Sequence, residues 1–462
     1  MERQTIGDAT VRFVNQPFTN ANGVVGCTFG LSDGAQGVWL DGDVAWLSSS
    51  EPDLTEIEDT MGLGDSGEFV ISIFTSGQDS LWTRDGLLIV ENTQAPGFPT
   101  GTTTTFHSGP EMLDDGTIHW VAGFNDEGGT ETLGRVLYRL APGGEPLVVL
   151  RSDDVFDDRT ISRPGLGLAH HLSGDGRHGI GLVDLVAPSG DEGAVLVDGS
   201  LVAVEGQPTG DGTRWLRFDH VAINSSGEYL FTAYTSGPAA RNHAIAHGAS
   251  VAVRKGDTLD GESLEDGMVH DVSVNDLGQA AHVWSTLDGR EMLFFAEDVA
   301  DLSASRLLLA TDDTLDVDGD TVDDYRVIGI PAYLVAGPAT NLAEDGAVNV
   351  FVSLRPIAGG GTRDAIIRLG DTAVPETARL HRATTPDLST DWPERLGLPL
   401  GPDSVLDAGW PMEVPLTGSF DDTDALLRTE PLTLYRLLDA SGDEVAPTLR
   451  LGRSDDALTL TW

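Results

Sequence analysis

The chain has 462 residues, 40% of them hydrophobic, and a formal net charge of −47. That apolar share supports a large core, so the acidity does not mark a disordered chain. With 74 Asp and Glu against 27 Lys and Arg, of which only Lys255 is lysine, the surface repels phosphate backbones and anionic bilayers. This excludes nucleic acid as a partner and suits cations, basic partners or a high-salt habitat in which screening relieves the self-repulsion.

Cys27 is the only cysteine, so no intramolecular disulfide forms; its spacing after the first Asn-Gly turn predicts a small buried side chain. No run reaches the roughly 18 apolar residues of a membrane span, so no membrane insertion is expected. The opening Met1-Glu2-Arg3-Gln4-Thr5 is polar and lacks the apolar core of a secretory signal.

The first predicted strand, Ala9–Val14, leads into a turn that recurs along the chain. Aligned on its glycine, the turn spans Asn20–Gly23, Gly64–Gly67, Leu113–Gly116, Ser173–Gly176, Asn224–Gly227, Asn275–Gly278 and Ala343–Gly346. The glycine-to-glycine steps are 44, 49, 60, 51, 51 and 68 residues. Each turn sits between apolar stretches that alternate in twos, the period of a half-buried strand. Most copies carry a second hairpin further on, such as Val38–Val44 around Asp41-Gly42 and Val195–Leu201 around Asp198-Gly199. Two hairpins make four strands, and a unit of about fifty residues has the size of a propeller blade. The expected fold is all-β: a β-propeller of seven or eight four-stranded blades over 1–372, then a C-terminal β-sandwich-like segment over 373–462. A large β-sandwich is the competing architecture.

The Asn-x-x-Gly turns with their apolar strands resemble the bacterial secreted proteins that carry tandem NxxGxxxxAF repeats. The fifth copy continues the likeness through Val251–Gly261, and Leu369-Gly370-Asp371 echoes it. The resemblance implies an exported, often surface-anchored, propeller-like body and no particular reaction. It favours an exported protein whose targeting segment is missing from this sequence over a cytoplasmic one.

The longest step holds the sharpest local motif, read as an insertion: Asp316-Val-Asp318-Gly-Asp320-Thr-Val322-Asp-Asp324. Alternate acids in a tight loop present several oxygens to one centre, as Ca²⁺ requires. The stretch resembles the calcium loops of FG-GAP repeats in integrin-type propellers, with Thr321 where that family has Gly. The resemblance implies Asp316, Asp318, Asp320, the Val322 carbonyl and Asp324 as ligands. A solvated acidic turn is the plain alternative.

From about 373 the pattern changes. Thr377–Leu388 and Thr433–Glu444 resemble strands of a fibronectin type III module, with Pro447–Trp462 as further strands. In a competing reading this region closes the ring by pairing with Ala9–Val14.

Motifs for chemistry are sparse. His243 and His247, four apart in predicted strand and turn, do not converge, and the adjacent His170 and His171 point to opposite faces of a strand. No nucleophile elbow, P-loop or dinucleotide glycine fingerprint is present. Leu113–Trp120 faintly resembles a sialidase Asp-box but reads as a turn. Trp39 and Trp82 fall at one place in successive repeats and predict packing; Trp392 and Trp410 lie outside the repeat and predict exposure. Together these features predict a non-catalytic, exported or cell-surface binding or structural propeller, stabilised by calcium, with a protein or glycan ligand. The alternatives are a glycoside hydrolase or polysaccharide lyase using acids in the central funnel, and an envelope or assembly subunit.

Overall fold

The computed structural model describes residues 5–461 apart from 7, 21, 49–53, 76, 126–132, 189–191, 266, 317–321, 331–339, 371–376, 385–411, 416–418, 423–432, 439–449 and 454–457. The chain divides into two compact units, Met1–Gly370 and Asp371–Trp462.

The first unit is a seven-bladed β-propeller, each blade an antiparallel sheet built from one contiguous stretch. Blade 1 runs from Ala9–Val14, continued by Phe18–Thr19, through Val25–Leu31 and Gln36–Leu40 to Asp43–Leu47. Blades 2 to 6 begin with the inner strands Leu54–Leu63, Thr103–Met112, Arg159–Leu172, Trp215–Ile223 and Met268–Val274. Their outermost strands are Gly86–Val90, Leu147–Arg151, Ser200–Val204, Ser250–Arg254 and Arg306–Ala310. Blade 7 departs from this plan. Its inner position is split between Tyr325–Gly329 and Thr340–Leu342, followed by Val348–Pro356 and Arg363–Leu369, with no fourth strand among the described residues.

The repeated turn joins the inner strand to the second strand in all seven blades. In blade 5 the Gly227 N–H donates to the Asn224 carbonyl and the Asn224 N–H to that of Glu228, with Gly227 at φ 77°. The glycine closes the turn because a side chain there would be strained. Between the third and fourth strands, Asp41-Gly42 and Asp198-Gly199 have positive φ at both residues, as a two-residue hairpin of matching twist needs.

The apolar core is divided among seven blade-to-blade interfaces. Ile71, Met61 and Val38 pack between blades 1 and 2, Trp120 and Leu81 between 2 and 3, and Ile161 and Leu137 between 3 and 4. Trp215 and Ile180 follow between blades 4 and 5, Trp284 and Ile245 between 5 and 6, and Val350 and Leu293 between 6 and 7. The seventh, Val11, Phe29 and Phe351, joins blade 7 to blade 1, where Asn349 Nδ2 also donates to Thr19 Oγ1 at 2.8 Å. Ala9–Val14 pairs within its own blade, Val11 opposite Leu31, and among the described residues blades 7 and 1 meet by packing. Trp39 and Trp82 are half-buried against the interface clusters, and Cys27 is fully buried, which pushes its thiol up to about 12.

In the second unit, Thr377–Thr384 pairs with Met412–Pro415 and Thr433–Leu438, and Leu458–Thr461 pairs with Ser419–Asp422 and Arg450–Arg453. Trp392 and Trp410 lie outside the described residues.

Candidate functional site

The inner strands carry β-bulges that re-aim their side chains. In blade 5, Phe218 opposes Ala233 while Val221 opposes Phe231, so Asp219 and His220 together stand against the single Thr232. Blades 2, 3 and 4 bulge at corresponding places, between Ile57 and Met61, Ser108 and Glu111, and Leu166 and His170. Together the seven inner strands enclose an axial cavity of about 480 Å³. Its walls carry the carboxyls of Glu111, Asp114, Asp219, Asp271, Asp276 and Glu344 and the imidazoles of His170, His171 and His220. No Lys or Arg lines it among the described residues.

At the turn end of the channel the blades are stapled to one another. Asn20 Nδ2 donates to the Gly64 carbonyl of the next blade at 2.8 Å. Asn224 Nδ2 donates to the Asn275 carbonyl, and Asn275 Nδ2 to the Ala343 carbonyl, both at 2.9 Å. Acids continue the pattern: Asp276 Oδ1 accepts from the Ser225 N–H at 2.6 Å, and Glu344 Oε2 from the Asp276 N–H at 2.9 Å. This brings carboxyls from several blades into one rim. Burial, then repulsion by Asp65, Asp276, Asp175 and Asp115, raises Asp114 to about 6. Burial, with repulsion by Asp276, Asp114 and Asp345, raises Glu344 to about 7.

Deeper in, Glu111 borders the cavity but is enclosed by the ring, and burial pushes its carboxyl up to about 8, although Oε2 accepts the Leu172 N–H of blade 4 at 3.1 Å. At neutral pH it holds its proton. His171 Nδ1 accepts the Ile223 N–H of blade 5 at 3.2 Å, and burial lowers its pKa to about 4. His170, on the other face as the sequence predicts, lies close enough to His119 of blade 3 to help lower that imidazole, after burial, to about 3.

Towards the opposite end, His243 stacks on Tyr234 with ring centroids 4.1 Å apart, and its Nδ1 accepts the Val269 N–H of blade 6 at 3.2 Å. The remaining ring proton of the neutral imidazole therefore sits on Nε2, 4.0 Å from Asp219 Oδ2. His270 Nε2 lies 2.5 Å from Ser285 Oγ. Burial depresses His243 to about 3 and His270 to about 4, so both are neutral at physiological pH. His247 ends the strand begun by His243, and the two do not converge on one centre.

The acidic loop 316–324 lies away from the axis. Thr314–Leu315 pairs with Tyr325–Gly329, Leu315 opposite Tyr325, and the Asp324 N–H donates to the Leu315 carbonyl at 2.8 Å. This is the same hairpin that enters blade 4 at Val155–Phe156 and precedes blade 6 at Thr258–Leu259 and Glu262–Ser263. The insertion therefore sits on a stem that the repeat also uses between other blades. The equivalence extends to side chains, since Asp154, Asp257 and Asp313 each accept the backbone N–H three residues earlier. Asp316 and Val322 are exposed and Asp324 is half-buried; Asp318 and Asp320 lie outside the described residues. Among the described residues no three His, Cys, Asp or Glu side chains form a group that could hold a metal.

Sequence reasoning missed the channel because it takes a few residues from each repeat. The available signal was the acids and histidines placed just before and within the repeated turns, at Glu111, Asp114, His170, His171, Asp276 and Glu344.

No protein-family model and no curated protein matches the chain. Among solved structures it is similar to the β-propeller domain of the Trilobed protease from Pyrococcus furiosus, at 10% identity and TM-score 0.39, over 64% of this chain and 84% of that one. It is also similar to prolyl oligopeptidase B from Galerina marginata, at 8% identity and TM-score 0.44, over 81% of this chain and 54% of that one. A third likeness is to the Kuenenia stuttgartiensis hydrazine synthase, at 11% identity and TM-score 0.38, over 79% and 99% of the two chains. These likenesses are loose, and the seven-bladed ring rests on the chain's own strand pairing.

Proposed function

We propose that the chain is a non-catalytic binding propeller, exported or displayed at a cell surface, whose axial channel takes a cationic or neutral ligand. The observation that carries this is the channel wall: six carboxyls, three imidazoles and no Lys or Arg among its described residues. Such a wall favours positive charge and opposes anionic sugars, phosphates and acidic peptides. Several of the polar groups hold blades together, as Glu111, His171 and the turn asparagines do, which supports binding over turnover. The fitting ligand classes are an uncharged glycan end, a basic peptide side chain, or a small amine.

Calorimetric titration of the purified protein with a linear polyamine, an uncharged oligosaccharide and a sulfated one tests this. Binding of either of the first two, lost in Asp114→Asn/Glu344→Gln, supports it; selective binding of the sulfated sugar contradicts it. The competing enzymatic reading rests on Glu111, a carboxylic acid kept protonated in the channel, which is the form a general acid needs. Release of reducing ends from a polysaccharide, abolished in Glu111→Gln, would establish that reading instead.

Calcium at 316–324 is part of the proposal. The stem that brings Asp316 and Asp324 together supports it, because a closed loop presents its acids with less ordering cost.

A further inference from the structure

The axial channel presents backbone as well as side chains. The Leu172 N–H of blade 4 and the Ile223 N–H of blade 5 point out of their sheets, and each is met by a side chain of the preceding blade, Glu111 Oε2 at 3.1 Å and His171 Nδ1 at 3.2 Å. Both acceptors stand two residues before the repeated turn. In blade 5 that place holds Ala222, which has no polar side-chain atom to offer blade 6.

The group of blade 6 that corresponds to Leu172 and Ile223 is Val274. The Asn275 N–H donates to the Gln279 carbonyl, so pairing alternates from there and Val274, opposite Ala280, directs its N–H and C=O away from the sheet. Neither group meets a partner among the described residues. Val274 and Ala222 both border the cavity, as does Asp276, which lies two residues on, about 7 Å along an extended strand. In the other direction the edge closes, because the Val272 N–H donates to Asp271 Oδ1 at 2.9 Å. The open stretch therefore suits a single paired residue and not a long added strand.

These groups set two requirements for a ligand. The Val274 N–H needs an acceptor oxygen, and a wall of carboxyls without Lys or Arg among its described residues opposes an anion, so that oxygen is neutral. The Val274 carbonyl and the Asp276 carboxyl need a donor, best a cationic one. An uncharged glycan meets the first requirement and an alkylamine the second, whereas the first residue of a peptide meets both. Antiparallel to Val274, its carbonyl accepts the Val274 N–H, and its ammonium lies against the Val274 carbonyl, on the side of Asp276. The peptide then continues from the acidic rim into the channel, whose 480 Å³ is the size of a small-ligand site. We infer that the channel captures the free amino terminus of a peptide, with Val274 pairing its first residue and Asp276 holding its ammonium. The inference rests on the reading of the channel as a binding site for cations and narrows its ligand.

Calorimetric titration of the full chain at low salt with trialanine amide, its N-acetylated form and butylamine tests this, with a linear polyamine alongside. The free peptide should bind at least tenfold more tightly than either the acetylated peptide or the monoamine. Ala222→Gln supplies Val274 with an acceptor of its own, as Glu111 does for Leu172, and should lower the peptide to the level of butylamine. The ligand comparison on the wild type stands even where that variant fails to fold. Acetylated peptide binding as tightly as the free one, or butylamine matching the peptide, overturns the proposal. If the polyamine binds while the peptide gains nothing over butylamine, only the amino-terminal reading falls; if no cationic ligand binds, the channel reading falls with it.

Discussion

Replacing Asn224 by alanine tests how the ring is held together. Its carboxamide accepts the Ser226 N–H at 3.1 Å and the Glu228 N–H at 2.9 Å, and donates to the Asn275 carbonyl of the next blade and to Glu228 Oε2, both at 2.9 Å. The residue is 2% exposed, so truncation strands two donors and the Asn275 carbonyl, while the half-buried Glu228 carboxylate keeps access to water. At about 1 kcal/mol net for each of the first three bonds the loss is about 3 kcal/mol. In a ring of this size that corresponds to a fall of about 4 °C in melting temperature. Blade 4 supplies an internal comparison. There Ser173 occupies the same place, and its hydroxyl accepts the His178 N–H at 3.1 Å. Asn224→Ser should therefore keep the local turn, lose the cross-blade bond and cost about half as much. Urea unfolding followed by tryptophan fluorescence, with amide exchange at Ser226 and Glu228, measures both. If alanine leaves stability unchanged, or serine costs as much as alanine, the cross-blade staple is not what the turn asparagine contributes.

Further outcomes follow from the buried charges, the polar core and the acidic loop. Glu111, Glu344 and Asp114 have folded pKa values raised to about 8, 7 and 6, so the native state holds protons that the unfolded chain releases. Their contribution is fully present below the unfolded carboxylate range and is lost as pH rises through the folded values. The buried histidines oppose this below about pH 6.5, because the unfolded imidazole binds the proton that His171 and His282 refuse. Melting temperature should therefore fall between about pH 6.5 and 8, and Glu344→Gln should flatten that slope; a rise over the window refutes the assignment. His282→Leu should cost about 2 to 3 kcal/mol, because Trp284 Nε1 donates to His282 Nδ1 at 3.0 Å and His282 Nε2 meets Ser305 Oγ at 2.9 Å, both groups being buried. A change below about 0.5 kcal/mol in denaturant unfolding would show that the chain of bonds adds little. EGTA should lower the melting temperature of the wild type, calcium should restore it, and Asp318→Ala/Asp320→Ala should abolish the response; an equal shift in that variant removes calcium from this loop.

The fold was legible because a propeller writes its period into its turns. The glycine at 23, 67, 116, 176, 227, 278 and 346 adopts positive φ in every copy, and that requirement is visible as a residue type. What the asparagine adds was not legible. Its side chain reaches the carbonyl of a turn 51 residues later in the case of Asn224, and no local pattern announces a bond of that length. The channel escaped for the same reason: Glu111, His171, Asp219 and Glu344 come from four blades and meet only once the ring has closed. Bulges made the matter harder, since Asp219 and His220 face the axis by breaking the alternation from which their direction would be read. The acidic loop drew attention because its residues are contiguous. Its stem, with Leu315 opposite Tyr325 as Leu259 is opposite Glu262, comes from pairing that no local pattern announces.

The channel's preference for positive charge is most directly tested by calorimetric titration of wild type and Asp114→Asn/Glu344→Gln with a linear polyamine at low salt. The wall of carboxyls without Lys or Arg among its described residues predicts saturable binding to the wild type that weakens at least tenfold in the variant and falls as salt is added. Equal affinity in both proteins, or tighter binding of a sulfated oligosaccharide than of the amine, would contradict it.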